Sequence, residues 1–221
     1  WELTNAINGD LGFVSSTIQS GVLPNGEWVA IFGNGNFSDT GKATLFVVNL
    51  QTGAAQTLDV DNTGSNGLGG VGLVLNSAGQ ITNLYAGDLK GKLWKFDYSA
   101  GAASRFEISG GSTPFFSASS AASVAQPITQ APIVYNHSLG GNLVIFGTGL
   151  LSTETDANNT AVQSIYAVRD QTGDSLPRPM DRTTLASRTI SSVAGSGGAT
   201  FYSISGSPVN WVTQRGWVID I

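Results

Sequence analysis

One pattern returns along this chain and narrows what it can fold into. Residues 28–53 read WVAIFGNGNFSDTGKATLFVVNLQTG, and residues 143–173 read LVIFGTGLLSTETDANNTAVQSIYAVRDQTG. Both run apolar segment, aromatic-Gly, polar loop, apolar segment, Asn or Asp, then Thr-Gly. Residues 83–101, NLYAGDLKGKLWKFDYSAG, are a shorter version. The junctions Phe32-Gly33, Tyr85-Ala86-Gly87 and Phe146-Gly147 recur at intervals of roughly 50–60 residues, the length of a four-stranded propeller blade. A β-sandwich with similar hairpins is the competing arrangement.

The residues say how such a unit is used. Val29-Ala30-Ile31-Phe32 and Leu143-Val144-Ile145-Phe146 are apolar at every position, which suits a strand sandwiched between neighbouring sheets. The glycine that follows suits a turning, crowded backbone. The second strand alternates, with Leu93, Lys95 and Asp97 on one face and Trp94, Phe96 and Tyr98 on the other. Thr52-Gly53, Ala100-Gly101 and Thr172-Gly173 are expected to close each unit with a positive φ. Trp28, Trp94 and Trp217 read as inter-blade core.

Composition agrees. Only 11% of the 221 residues are charged and 29 are Gly, against 41% apolar, as short strands joined by tight turns require. No amphipathic helical stretch of useful length occurs. The net charge of −5 without a Lys/Arg cluster argues against nucleic acid. The absence of cysteine excludes disulfides, thiolate metal sites and a Cys nucleophile. No apolar run reaches the ~20 residues of a membrane helix. Trp1-Glu2-Leu3 is no signal peptide, so an exported protein is expected to be mature or excised from something larger.

The expected fold is all-β: a partial β-propeller of about four blades, each an antiparallel four-stranded sheet. It forms a single segment over 1–221, with a first half at 1–108, a low-complexity surface connection at 109–126 and a second half at 127–221. Residues 174–214 show no repeat, and VAGSGGAT within them reads as a loop. Both ends read as strand interior, so the rest of a longer polypeptide, or a partner, is expected to complete the propeller.

The order of GEWVAIFGNG, GKATLFVVNLQTG, LYAGDLKGKLWKFD, PITQAPIV, FGTG with QSIYAVRD, and RGWVIDI resembles the C-terminal propeller of the PilC/PilY family, the type IV pilus tip-associated adhesins. The resemblance implies a larger, about seven-bladed, propeller in an exported bacterial protein, extracellular or at the outer membrane and pilus tip. It implies a non-enzymatic role in attachment, pilus assembly and control of retraction, with pilus subunits or a host-surface ligand as partners. AGDLKGKLWKFD is also similar to the quinoprotein-like propellers at large. That leaves a pyrroloquinoline quinone dehydrogenase segment as the alternative, with an envelope assembly scaffold as a third reading. Against the dehydrogenase stand the missing vicinal Cys pair and the lack of an obvious charged cofactor pocket.

Many members of the family carry a calcium loop of alternating aspartates, a turn glycine and a final aspartate shortly before this hairpin. Here Val74, Asn76, Ala78, Gly79 and Thr82 take those positions: the glycine stays and every carboxylate is gone. Calcium needs six to eight oxygens, several charged, so a metal-free hairpin with Ser77-Ala78-Gly79 in its turn is expected, and no cofactor. Glu154, Asp156 and Asn158 are weak calcium candidates in a loop. Asp59, Asp61, Thr63 and Gly64 begin like an EF-hand, but Gly70 stands where the bidentate Glu belongs.

No catalytic residue is expected. His137, the single histidine, sits in a turn with no nucleophile elbow elsewhere. Asp88 and Asp97 are expected to hold turn amides. The loops 33–43, 109–126 and 151–161 are the expected contact surface. Sugar-binding faces use exposed aromatics, but a sequence does not display exposure.

Overall fold

The computed structural model describes residues 1–6, 8–171, 173–174 and 177–221. These residues form three sheets, against the expected four or so, because one long insertion takes the length of a fourth. The first blade is an antiparallel meander of β1 (Gln19–Val22), β2 (Trp28–Gly33), β3 (Ala43–Asn49) and β4 (Ala55–Asp61). The second is built from β5 (Leu68–Leu75), β6 (Ile81–Asp88) and β7 (Lys92–Tyr98), with β8 (Phe106–Ile108) and β9 (Phe116–Ser117) both pairing β7. The third begins with β10 (Ile133–Asn136), β11 (Asn142–Gly147) and β12 (Ser164–Asp170).

Between Asp170 and its last strand the chain makes a detour. β13 (Met180–Asp181) adds in parallel to β9 at the outer edge of the second blade. β14 (Ala186–Ala194) then lies parallel to β16 (Gly216–Asp220) through Ala186–Arg188 and runs on into a hairpin with β15 (Thr200–Ser205). β16 returns antiparallel to β12 as the fourth strand of the third blade. The insertion thus straps the outer edges of two blades together. Arg182 fastens it, donating to both oxygens of Asp220 at 2.9 and 3.0 Å and to the Ser119 carbonyl.

The period-two alternation of the strands assigns each side chain to an inter-blade layer. Val29, Ile31, Leu45 and Val47 pack with Leu84, Trp94, Phe96 and Phe106 between the first two blades. Tyr85, Leu93, Phe116, Val144, Phe146, Tyr166 and Val218 fill the second layer. Ala30, Phe32, Phe46 and Val48 face the other way, under Leu3, Leu11 and Val14. The split of Leu93 from Trp94 and Phe96 follows the expected alternation.

Several expectations need correction. Trp28 is 61% exposed, because it opens β2 at a turn, beyond the part of the sheet that a neighbour covers; Trp94 is buried and Trp217 half-buried. The stretch 109–126 is more than a surface connection. Phe115 and Phe116 are fully buried, and β9 pairs with β7 as part of the blade. Gly101 does not take a positive φ; Arg105, at φ 65°, does so in that loop. Gly53 and Gly173 behave as expected, and Thr172 lies outside the described residues. Trp1–Leu3 form no strand, although β16 does run to Asp220. In β11 Val144 and Phe146 are buried while Leu143 and Ile145 are half-exposed, so that strand is covered on one face. VAGSGGAT spans the tip of the β14–β15 hairpin.

Candidate functional site: the loop-bearing end of the blades

At one end of the blades each second strand closes with a glycine and a polar residue, at or just past its last position: Gly33-Asn34, Gly87-Asp88, Gly147-Thr148. That residue ties the corner of its blade. The Asn34 carboxamide oxygen accepts from Thr44 N at 3.0 Å and from Leu68 N of the next blade at 2.8 Å, and its NH2 donates to the Asp10 and Lys42 carbonyls. Asp88 accepts from Lys90 N (2.9 Å), Lys92 N (2.8 Å), the Trp94 indole (2.9 Å) and Asn66 (3.2 Å). Burial pushes its carboxyl above the ordinary value, and these four donors work against that push. Thr148 Oγ1 accepts from Ser164 N at 2.8 Å. Sequence reasoning singled out Asp88 and missed Asn34 and Thr148, although the position after the junction glycine was the signal.

The other acids are also committed to hydrogen bonds. Asp97 serves no turn amide, contrary to expectation; it accepts from Asn83 across the β6–β7 pair at 2.6 Å. Burial works to raise Asp61, but Lys90, Thr63 and Asn66 outweigh it and hold its carboxyl well below the usual range. Asp59 accepts from Lys42 and Thr44. Between the second and third blades, buried Asp170 accepts from the Tyr85 hydroxyl (2.5 Å) and from Lys95 (2.6 Å) and Arg178 (3.2 Å), while burial, then that carboxylate, push the Tyr85 phenol up.

The family's calcium position does not fit a cation here. Val74 and Thr82 lie on β5 and β6, and Asn76 opens the turn. The Asn76 side-chain oxygen already accepts from Ala78 N (2.9 Å) and Gln80 N (3.0 Å), while Gly79 takes φ 76°. The Asn76 amide thus orders the turn from within, and none of Val74, Asn76, Ala78 and Thr82 is a carboxylate. Glu154, Asp156 and Asn158 form a short 3₁₀ turn; Asp156 turns back to accept from Ser152 N (2.9 Å) and Thr153 N (2.8 Å), which lowers its pKa. Among the described residues no three His, Asp or Glu side chains group as metal ligands. His137 lies in the β10–β11 turn, accepts from Leu139 N and stands edge-on to Trp211 at 4.4 Å.

Loops 34–42 and 148–163 project from this end and meet where Asn36 donates to Ser152. Two shallow cavities of about 390 and 320 Å³ lie along that meeting line. Stacked, mainly antiparallel sheets, corners pinned by a polar residue and loops gathered at one end define a β-propeller segment of the kind that presents a rigid loop surface.

Comparison with known proteins makes the assignment specific. Residues 2–189 match the PilY1 β-propeller domain. The chain is 34% identical over its whole length to the type IV pilus biogenesis factor PilY1 of Pseudomonas aeruginosa strain PAK, and 34% identical to a PilY1 homologue of Xylella fastidiosa strain Temecula1. It spans 22% and 17% of those two proteins. It superimposes on the crystal structure of the Pseudomonas aeruginosa PilY1 C-terminal domain with a TM-score of 0.87 at 32% identity, covering all of this chain and 52% of that one. The chain belongs to the PilY1 β-propeller family.

Proposed function

We propose that this chain is the propeller segment of a type IV pilus-associated factor that acts in pilus biogenesis by surface recognition and not by catalysis. Attachment and control of retraction follow from the same platform. The observation that carries the reading is similarity over the whole chain, at 34% identity, to proteins named as type IV pilus biogenesis factors. The platform supports it physically: two fully packed layers between three sheets fix the loop ends in place. The conspicuous acids Asp61, Asp88, Asp97 and Asp170 are engaged in hydrogen bonds and ion pairs that order the blades, which supports a structural use for them. The pilus places the segment outside the cell, and no helix among the described residues is long and apolar enough to cross a membrane.

The remainder of a longer polypeptide completes the propeller against the third blade. Ile133 and Tyr135 are exposed there, beside half-exposed Ile145, Ile165 and Trp217. An uncovered sheet face of that kind is the seat of another layer, and the solved relative has nearly twice this length of chain. Excising residues 1–221 in frame from the natural polypeptide, then counting pili by electron microscopy and measuring adherence, tests the reading. Loss of pili or of adherence is the expected result; unchanged values for both overturn it.

A further inference from the structure

Three exposed apolar side chains meet in loops at the crowded end of the blades. Phe13, Phe37 and Leu151 are 73%, 59% and 77% exposed, and they frame the 320 Å³ cavity whose remaining lining is Ser15, Asn36 and Ser152. Phe13 and Phe37 stand edge to face with centroids 6.2 Å apart, and both rings stay largely exposed. Phe37 holds φ at 59°, a region where a bulky side chain is a rare and strained occupant. The strain is imposed by its neighbours. Phe13 and Asn36 exchange backbone hydrogen bonds, and Gly12 and Gly35 let those strands approach so closely that an added Cβ would lie 2.2 Å from the Asn36 carbonyl oxygen or 1.9 Å from that of Phe13.

Strain of this kind persists where the surrounding structure over-determines it, and it clusters at ligand clamps. Burial does not explain it here, because the ring it orients is in water. The chemistry of the lining narrows the ligand. Every residue of this cavity is uncharged, as is every residue of the adjoining one, where Thr129, Gln130 and Thr148 add hydroxyl and amide groups. Neutral hydrogen-bonding groups beside exposed aromatic rings suit a ligand with many hydroxyls and an apolar C–H face, since a ring's negative face attracts polarised C–H groups. A charged peptide or an anionic lipid finds no counter-charge among these lining residues.

We propose that the Phe13–Phe37–Leu151 depression binds an uncharged carbohydrate. The proposal deepens the attachment reading and rests on it for its use in the cell. The test is saturation-transfer NMR on the complete natural polypeptide with lactose, maltotriose and tri-N-acetylchitotriose, repeated with Phe37→Gly and Phe13→Ala. Glycine takes φ near 60° without strain, so Phe37→Gly keeps or raises Tm while removing the ring. Saturation transfer to at least one sugar, falling at least fivefold in Phe37→Gly, is the expected result. No transfer to any of the three, transfer unaffected by Phe37→Gly, or Phe37-dependent capture of uncharged peptides in place of sugars overturns the proposal. Failure here, with adherence still dependent on the propeller, removes the carbohydrate and keeps the attachment reading. Sugar binding by a propeller dispensable for adherence keeps the site and removes that reading.

Discussion

Gly33, Gly87 and Gly147 hold the same place in the three blades, yet their surroundings divide two against one. A Cβ added to Gly33 would meet the Gly69 and Leu68 carbonyl oxygens at 2.1 and 2.3 Å, and one added to Gly87 would meet Ile128 side-chain atoms at 2.2 Å. In both cases the obstacle is the chain that leads into the next blade. A Cβ on Gly147 meets nothing within 4 Å. The junction glycine is therefore a requirement of having a following blade, and its conformation alone does not demand it, since none of the three has a positive φ. The unfilled space beside Gly147 lies at the face where we place the rest of the propeller.

The largest expected effect breaks this comparison at its crowded end. Gly33→Ala should cost about 3 kcal/mol or more, because rigid backbone must move to admit the methyl, whereas Gly147→Ala should change stability by less than about 0.5 kcal/mol. Thermal denaturation of the two variants of this chain checks the contrast. In the longer polypeptide the Gly147 variant should lose stability as the Gly33 variant does; a neutral result there would mean that no further blade seats beside it.

Next in size come the polar corners. Removing the side chain in Asn34→Ala leaves the buried Thr44 and Leu68 amides without their acceptor, and each such orphan costs about 1–3 kcal/mol. Asp88→Ala should do comparable damage, stranding the Lys90 and Lys92 amides and the Trp94 indole. Thr148→Ala removes the acceptor for Ser164 N and should cost less, near 1 kcal/mol, because Thr148 is only half-buried. Urea titration orders the three variants; a Thr148 cost equal to that of Asn34 would mean that the third corner is as closed as the first.

This gradient also shows what was legible in the sequence. The apolar-aromatic-Gly pattern, the alternation in β7 and the turn at Ser77-Ala78-Gly79 come from local physics, so they survive being read without neighbours. The insertion between Asp170 and Gly216 does not repeat. Its strands β13 and β14 add in parallel to edges distant in sequence, and no local period records such pairing. Phe115-Phe116 was hidden by the Ser, Ala and Gly around it, which read as loop and are mostly exposed, while the two rings between them are fully buried. Of the candidate site, Asp88 stood out by its charge, whereas Asn34 and Thr148 do the same work with neutral side chains. The exposure of Phe13, Phe37 and Leu151 depends on which loops meet across the blades.

Charge offers a smaller and signed test of the same corner. Asn66 donates to both Asp61 (2.7 Å) and Asp88 (3.2 Å), so two carboxylates with opposite displacements share one amide. Asp61 is held below its ordinary value of about 3.9, so its contribution is complete above that pH and is lost as the pH falls toward the folded value. Asp88 is raised, so the folded state keeps a proton that the unfolded chain has released, and its contribution declines as pH rises from about 4 through the folded value. Asp61→Asn should therefore flatten the fall of Tm between about pH 5 and pH 2. A fall in Asp61→Asn as steep as in the parent would show that Lys90 and Asn66 do not hold that carboxylate.

The smallest expected effect lies at the β14–β15 hairpin, where the same backbone pairing has a different basis from that in the blades. Its register runs unbroken from Thr189–Ser205 to Ala194–Thr200, yet Ile204, Phe201 and Tyr202 are all exposed, on both faces. The family match ends at residue 189, where this arm begins. A two-stranded ribbon without a covering layer contributes little to stability, so Phe201→Ser and Ile204→Ser should each shift stability by no more than about 0.5 kcal/mol. In the second blade, Phe96→Ala, at a fully buried site between two sheets, should cost about 3–5 kcal/mol. Hydrogen exchange should order the two regions the same way, with the β15 amides exchanging orders of magnitude faster than those of β6 and β7. Protection of β15 equal to β7 would show that the arm is covered in solution and would move it from the periphery of this fold into its core.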